Sequence, residues 1–192
     1  MAESTAPIDI ITPETLEASG TVELATALAR ALPSLNFPRP AITDATDAVR
    51  PAQLRGLAPD QVLVLVNGKR RHTTALINLN GSQGRGSSPV DLNAIPIASI
   101  ERVEVLRDGA SAQYGSDAIA GVVNIITRTN FEGATANAYY GQYSQGDGAT
   151  TRADFVLGFT GDRGSLTAAV EYRKEEDVFS GDREFSAYPQ GP

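Results

Sequence analysis

The feature that most constrains this chain is the two-residue period in its last third. An apolar side chain stands at every second position of residues 153–159 and again of residues 166–172. This period places the apolar side chains of a β-strand on one face. Gly161-Asp162-Arg163-Gly164 lies between the two segments and predicts a tight hairpin turn, and residues 134–143 carry a weaker form of the pattern. We therefore expect three antiparallel strands from residue 131 onward.

Two environments fit this alternation. Strands of about ten residues with one apolar and one charged face are typical of outer-membrane β-barrels. A soluble antiparallel meander has the same period, and the period alone gives the two equal weight. The longest apolar run, residues 62–66, is far below the ~18 residues that a membrane-spanning helix needs. Tyr139, Tyr140, Phe159 and Tyr172 are candidates for an interfacial aromatic girdle, although aromatic residues are also common in ordinary strands.

Residues 1–130 carry a different pattern, with short mixed elements. A strand is predicted over residues 8–11, and an amphipathic helix from an N-cap at Thr21 to a stop at Pro33. Further strands are predicted over residues 61–66, 102–107 and 120–128. Single helical turns fit residues 97–100 and 111–114. A long polar loop follows the Asn67-Gly68 turn and extends to Pro96, and such loops are often functional. Together these elements predict a small α+β domain.

Composition excludes several classes of function. The chain has 192 residues, a net charge of -7, no cysteine and the single histidine His72. The acidic balance disfavours nucleic acid as a partner, and disulfides, thiolate ligands and a histidine metal cluster are excluded. Gly84-Arg85-Gly86 lacks the preceding strand and following helix of a phosphate-binding loop. No serine stands in a nucleophile-elbow motif. We therefore expect no enzyme, no cofactor and no metal site.

One stretch carries a family resemblance. Residues 100–128 read IERVEVLRDGASAQYGSDAIAGVVNIITR. This stretch resembles the motif that closes the plug domain of TonB-dependent outer-membrane receptors. Residues 54–57, residues 62–70, the opening strand and the first helix match the family's elements in order, so that the resemblance covers roughly 120 of the 192 residues. Asp108-Gly109 replaces the family's usual glycine-proline, and no TonB box is identified in residues 1–8.

The resemblance implies an architecture and a function. Residues 1–130 would be the plug, and residues 131–192 would be the first three strands of an incomplete transmembrane β-barrel of about 22 strands. The chain would be the N-terminal part of an outer-membrane transporter energised by TonB. Its plug would gate the uptake of a scarce external substrate: siderophore-bound iron, cobalamin, haem or an oligosaccharide. The alternative is a soluble periplasmic binding or signalling module that uses a plug-like fold.

The resemblance also suggests two sets of functional residues. The first would contact substrate from apical plug loops: Arg55, Arg70, Arg71, His72, Thr73, Asn80, Gln83 and Arg85. The second would form salt bridges between plug and barrel wall: Glu101, Arg102, Glu104 and Arg107. Each set has a simpler interpretation. Arg55 could pair with a neighbouring carboxylate, the basic loop could merely be solvated, and the charges of residues 101–107 could be surface display.

Overall fold

The computed structural model of the chain describes residues 7–39, 48–77, 84–108 and 110–185. Among these residues, no helix is long and apolar enough to span a membrane. The helices and strands, in chain order, are β1 (Ile8–Ile11), α1 (Pro13–Ala18), α2 (Leu24–Ala31), β2 (Leu35–Asn36), β3 (Gln53–Leu54), β4 (Val62–Val66), β5 (Lys69–Arg70), β6 (Ile100–Leu106), α3 (Ser111–Tyr114), β7 (Gly121–Thr127), β8 (Gly133–Gly141), β9 (Thr150–Gly161) and β10 (Gly164–Glu175).

A five-stranded mixed sheet organises the first part of the chain. Its strand order is β1-β6-β7-β4-β5, and β2 and β3 form a separate pair. All neighbours are antiparallel except β4 and β7, which are parallel from Val62 opposite Gly121 to Val66 opposite Ile125. Strand β7 is central, between β6 and β4, so that Val122 is buried on one face and Val123 and Ile125 on the other, whereas β1 and β5 lie at the edges.

The main core lies on one face of this sheet, under the two helices. The fully buried residues that helices and sheet contribute to it are Leu16, Leu24, Leu28, Leu54, Val103, Val105, Val123 and Ile125. Helix α2 begins at Leu24 with Glu23 at the N-cap position, two residues later than predicted. Thr21 does not cap the helix, because its hydroxyl accepts from the Glu23 N–H at 3.3 Å in a local turn. Helix α1 was not predicted, although Pro13 at its first position favours a helix start.

The opposite face of the sheet is partly covered by the crossover, residues 107–120, which connects β6 to β7. Ala110 and Ala118 of the crossover pack on Leu63, Leu65 and Val122. The predicted helical turn at residues 111–114 is present in it as α3. Along the rest of this face, nearer the β1 edge, Ile8 and Ile10 are 46% and 57% exposed. The two faces of the sheet therefore differ in how completely they are buried.

A second, three-stranded antiparallel sheet follows, in the order β10-β9-β8. The predicted tight turn connects β9 to β10, and Gly161 pairs with Gly164. The apolar and polar residues that alternate in the sequence lie on opposite faces of this sheet. Large apolar side chains point away from the first sheet and are about half exposed or more: Phe155, Phe159, Leu166, Val170 and Tyr172. The predicted small α+β domain and the three antiparallel strands that follow it are therefore both present, and the second sheet has one apolar, exposed face.

Tyr139 departs from the predicted aromatic girdle. It is the register partner of Arg152, and both residues line a cavity against the first sheet. Its neighbour Tyr140 is on the outer face and is 66% exposed. The strand period explains the difference, because adjacent residues point to opposite faces. Tyr140, Phe159 and Tyr172 therefore remain as girdle candidates.

The connection between the two sheets is tightly packed. Arg128 follows β7, and its guanidinium lies 5.6 Å from the centre of the Phe131 ring. Phe131 packs on Gly158, where a Cβ would lie only 2.1 Å from the Phe131 carbonyl oxygen. A side chain at position 158 would therefore displace the connection. This contact places the β7 end of the first sheet near the tight turn that connects β9 to β10.

Candidate functional site

Arg55 lies at one end of the five-stranded sheet, beyond the start of β4 and β7. Arg55 and Gly56 both have left-handed backbone conformations, with φ of 56° and 74°. The Arg55 guanidinium donates to the Ile119 carbonyl oxygen at 3.1 Å and lies 3.6 Å from a carboxylate oxygen of Asp108. A positive φ is rare for arginine, and these contacts on the crossover hold the side chain in place. The structure thus contains the carboxylate pairing that was the simpler interpretation of Arg55.

The Asn67-Gly68 turn lies at the other end of the sheet. The Asn67 side chain donates to the Thr127 hydroxyl at 2.8 Å and accepts from the Thr127 N–H at 2.9 Å. Beyond the turn the chain reverses and runs back beside β4, since Arg71 N–H donates to the Val64 carbonyl oxygen at 3.0 Å. Arg70 and its neighbours are therefore not at the tip of a loop that leaves this turn. They lie on a segment that returns towards the Arg55 end.

Arg70 contacts the middle of the crossover. Its guanidinium donates to the Tyr114 carbonyl oxygen at 2.6 Å and forms an ion pair with Asp117. Arg55 contacts the two ends of the same crossover, at Asp108 and Ile119. The structure therefore brings two of the predicted site arginines together on one segment. Both are engaged in holding the crossover on the sheet.

The long loop, residues 71–96, has two described legs: an outgoing leg, residues 71–77, and a return leg, residues 84–96. Thr74 N–H donates to the Pro89 carbonyl oxygen at 2.8 Å, and the Ser88 hydroxyl donates to the Thr74 carbonyl oxygen at 2.6 Å. A Cβ at Gly84 would lie 2.4 Å from Pro59, which precedes β4. The two legs therefore extend together to the Arg55 end of the sheet. Asn80 and Gln83 lie outside the described residues.

Several cations of the long loop have no partner among the residues that the structure describes. The side chains of Arg71, His72 and Arg85 make no hydrogen bond or ion pair to the part of the chain that the structure describes. His72, Thr73 and Arg85 are exposed, and Arg71 is half-buried. These side chains are available to an external ligand, in contrast to the side chains of Arg55 and Arg70. An arginine with free donors suits carboxylate or phosphate oxygens.

The charged residues of β6 pair within the first sheet. Arg102 contacts carboxylate oxygens of Glu101 and Glu104, each at 2.8 Å, and the Glu104 hydrogen bond raises the pKa of Arg102. Arg107 contacts Asp9 of β1 at 2.6 Å. Among the described residues, none of these four predicted plug-to-wall residues pairs with β8, β9 or β10. The reason is local, because each finds its counter-charge on its own strand or on the next one.

A different charged group lies between the two sheets. We name it the wall cluster: Asn137, Arg152, Asp154 and Glu171. Arg152 lies 2.7 Å from Asp154 and 3.3 Å from Glu171, and Asn137 donates to Asp154 at 2.8 Å. The side chains of Asp154 and Arg152 are only 2% and 10% exposed. Glu171 also lines a small cavity together with Asn93 and Pro96, so the cluster lies beside the end of the long loop. Sequence analysis did not single out this cluster, although Arg152 and Asp154 alternate with apolar residues.

A cavity of about 440 Å³ adjoins the wall cluster. Residues of α1, of the turn that precedes β6 and of strands β8 and β9 line it, among them Glu17, Ala98, Arg128, Tyr139 and Arg152. Its lining mixes both signs of charge with aromatic and aliphatic surface. Within residues 7–39, 48–77, 84–108 and 110–185, no group of three or more acidic or histidine side chains is placed to hold a metal ion. The cavity therefore lies between the first sheet with its helices and the inner face of the second sheet.

Comparison with known proteins gives the family. The sequence model described as the TonB-dependent Receptor Plug Domain matches residues 1–122. This chain belongs to the TonB-dependent receptors. The plug of the receptor is thus the five-stranded sheet with its helices, and the three-stranded sheet that follows has the strand pattern of a barrel start.

Curated relatives of this TonB-dependent receptor are much longer than the chain. The ferric enterobactin receptor PirA of Pseudomonas aeruginosa is 33% identical over 169 residues, which are 86% of this chain and 22% of PirA. A second ferric enterobactin receptor of the same organism is 31% identical over 171 residues, again 86% of this chain and 22% of the relative. The chain therefore spans about a fifth of the length of these relatives.

Solved structures agree with the fold of this receptor. The siderophore receptor PirA from Pseudomonas aeruginosa matches 90% of this chain and 30% of its own, at 30% identity and a TM-score of 0.63. A mutant of the ferric enterobactin receptor PfeA from the same organism matches 94% of this chain and 26% of its own, at 26% identity and a TM-score of 0.70. Both matches extend over the plug and the three strands that follow it.

Proposed function

We propose that this chain is the N-terminal part of an outer-membrane transporter in which the plug gates TonB-energised uptake of a ferric siderophore. Two relatives at 33% and 31% identity are named ferric enterobactin receptors, so ferric enterobactin is the first ligand to test. The chain acts as a receptor and gate and has no catalytic residue in this proposal. Residues 1–130 serve as the plug, and residues 131–192 begin the barrel.

The orientation of the plug follows from the barrel strands. Outer-membrane barrels have short periplasmic turns and longer external loops. The β9–β10 turn is short, whereas residues 142–149 form the longer β8–β9 connection. Phe131 and Gly158 bring the Asn67-Gly68 end of the plug near the short turn. In our proposal the Arg55 end and the long loop therefore face the external medium.

The exposed apolar face of β9 and β10 supports a membrane location. Phe159, Leu166 and Val170 are 60%, 66% and 68% exposed, and they form one side of two paired strands. Lipid would cover this face in a complete barrel. A soluble periplasmic module would leave the same face in water, where contiguous apolar surface of this kind is unfavourable. The outer membrane is therefore the proposed location.

The unpaired cations of the long loop carry the proposal for substrate contact. Arg71, His72, Thr73 and Arg85 would contact anionic oxygens of the ligand, and we assign Asn80 and Gln83 to the same loop. Arg55 and Arg70 would act indirectly, because they hold the crossover beside that loop. In the complete barrel, Glu101, Arg102, Glu104 and Arg107 would lie opposite wall strands that follow residue 192.

Ligand binding by the complete receptor tests the substrate proposal. Purified receptor should bind ferric enterobactin, and cells that produce it should take up iron from this complex only when TonB is present. Binding itself should persist without TonB, because TonB energises release of the ligand into the periplasm. Failure to bind any ferric siderophore in a panel would contradict the substrate class.

Two arginine variants test the assignment to the long loop. Arg71→Ala and Arg85→Ala should each weaken binding by about 1–3 kcal/mol if a charge-assisted hydrogen bond is lost. Arg163→Ala is the matched control. Arg163 is an exposed arginine in the short turn between β9 and β10, which lies at the end of the protein away from the long loop. Equal dissociation constants for the three variants would remove the long loop from the binding site.

A further inference from the structure

A buried carboxylate lies where helix α2 meets the long loop. The Glu23 side chain is only 7% exposed. It accepts from Arg50 Nε at 2.7 Å, from Asn93 Nδ2 at 2.6 Å and from the Thr26 hydroxyl at 2.5 Å, and it also pairs with Arg39. A buried carboxylate requires such a complete set of donors, because an uncompensated buried charge is strongly destabilising.

The donors of Glu23 come from separate parts of the chain. Thr26 is on α2 itself, Arg50 follows the α2 region, and Asn93 belongs to the return leg of the long loop. Asn93 makes a second link, since its Oδ1 accepts from the Ala25 N–H at 3.3 Å, in the first turn of α2. Glu23 occupies the N-cap position of α2 but makes no capping hydrogen bond with its side chain. The return leg thus supplies an acceptor that the helix start lacks.

The return leg is itself fixed to its surroundings. Asp91 Oδ1 accepts from the N–H groups of Arg50 and Asn93 at 3.2 and 3.1 Å. Leu92 is fully buried in the main core. Movement of the return leg away from α2 would therefore remove the Asn93 donor from buried Glu23 and, at the same time, leave Ala25 N–H without its acceptor. The loss of these contacts disfavours movement of the return leg while α2 stays in place.

We infer that Glu23 and Asn93 form a link through which helix α2 and the return leg of the long loop open as one cooperative unit. Asn93 is then a positioning residue for the loop that we assign to substrate contact. The link joins the long loop, which faces the ligand in our proposal, to helix α2. This helix begins two residues after Val22, and Val22 lines the cavity that adjoins the wall cluster. This link between the two segments does not depend on which substrate the receptor takes.

Hydrogen exchange of the full chain in detergent micelles tests the link. Thr26→Val removes one donor to Glu23 within α2 and leaves both Asn93 bonds in place. We expect exchange to accelerate by about tenfold in peptides of α2, as for one lost hydrogen bond to a charged group, and by the same factor in peptides of residues 86–95. Peptides of β6, β9 and β10 should be unchanged.

The same substitution in an Asn93→Ala background provides the control. Without Asn93 the link is cut, so Thr26→Val should now accelerate exchange in α2 alone. Transmission to residues 86–95 that persists in this background would overturn the inference. So would acceleration confined to α2 when Asn93 is present, or an equal acceleration in β6, β9 and β10, since the last result would show general destabilisation only.

Discussion

Arg152→Met tests the energetic role of the wall cluster. Methionine keeps much of the apolar stem of arginine but removes the charge that lies 2.7 Å from Asp154 and 3.3 Å from Glu171. The two carboxylates are 2% and 12% exposed, so solvent cannot replace the lost guanidinium. Removal of one partner from a buried ion pair costs about 3–5 kcal/mol. For a chain of this size that loss corresponds to a decrease in Tm of roughly 6–20 °C.

The assay is urea unfolding of the full chain in detergent micelles, followed by circular dichroism. Arg163→Met is the matched control, since Arg163 is exposed in the β9–β10 turn and its replacement should change stability by less than about 0.5 kcal/mol. Adding Asp154→Asn to Arg152→Met should recover roughly 1–3 kcal/mol, because one stranded charge is removed while an acceptor for Asn137 remains. Our reasoning would be refuted if Arg152→Met unfolded like the control, or if Asp154→Asn restored nothing.

Two further predictions follow from the backbone and from the loops. Gly121→Ala should destabilise the chain by roughly 2–4 kcal/mol in the same assay, because φ is 145° and a Cβ would lie 2.3 Å from the Leu106 carbonyl oxygen; Gly20→Ala, at a positive φ in open space, should cost only about 1 kcal/mol. The Arg183 hydrogen bond lowers the pKa of Asp147, so the contact between these two loops should be intact at neutral pH and should be lost as the pH falls through that lowered pKa. Amide exchange of residues 143–149 measures this loss, and Arg183→Met should show fast exchange at every pH.

Sequence periodicity predicted the strands because burial follows local alternation. Residues 62–66, 100–106 and 121–127 alternate or are continuously apolar, and their strands were predicted to within about two residues. The tight β9–β10 turn was confirmed for the same local reason, since glycines bracket it. The resemblance to the TonB-dependent receptors was confirmed by the match over residues 1–122. The α2 start was missed because a turn at Thr21 competes with the cap.

The contacts of the candidate site depend on residues far apart in the chain, and local patterns do not report them. Arg55 meets Asp108 because β7 pairs in parallel with β4 and antiparallel with β6, which brings the end of β6 near the start of β4. Glu23 meets Asn93 because the return leg crosses the start of α2. The short β2–β3 pair has two residues per strand, too few for a visible period. Side chains that look like free loop cations in the sequence, such as Arg70, are therefore distinguishable from Arg71 only in the structure.

The central position of β7 has a consequence for the order in which the protein can fold. β7 alone bridges β6 and β4, yet it is the last strand of the plug to be synthesised. Until it is present, β1–β6 and β4–β5 are two separate ribbons with unpaired edges, and their union requires a pairing between residues 62 and 121. Such non-local pairing is slow to form. We therefore expect the plug sheet to close at a late stage of biogenesis, when the adjoining residues 133–141 are also available to begin the barrel.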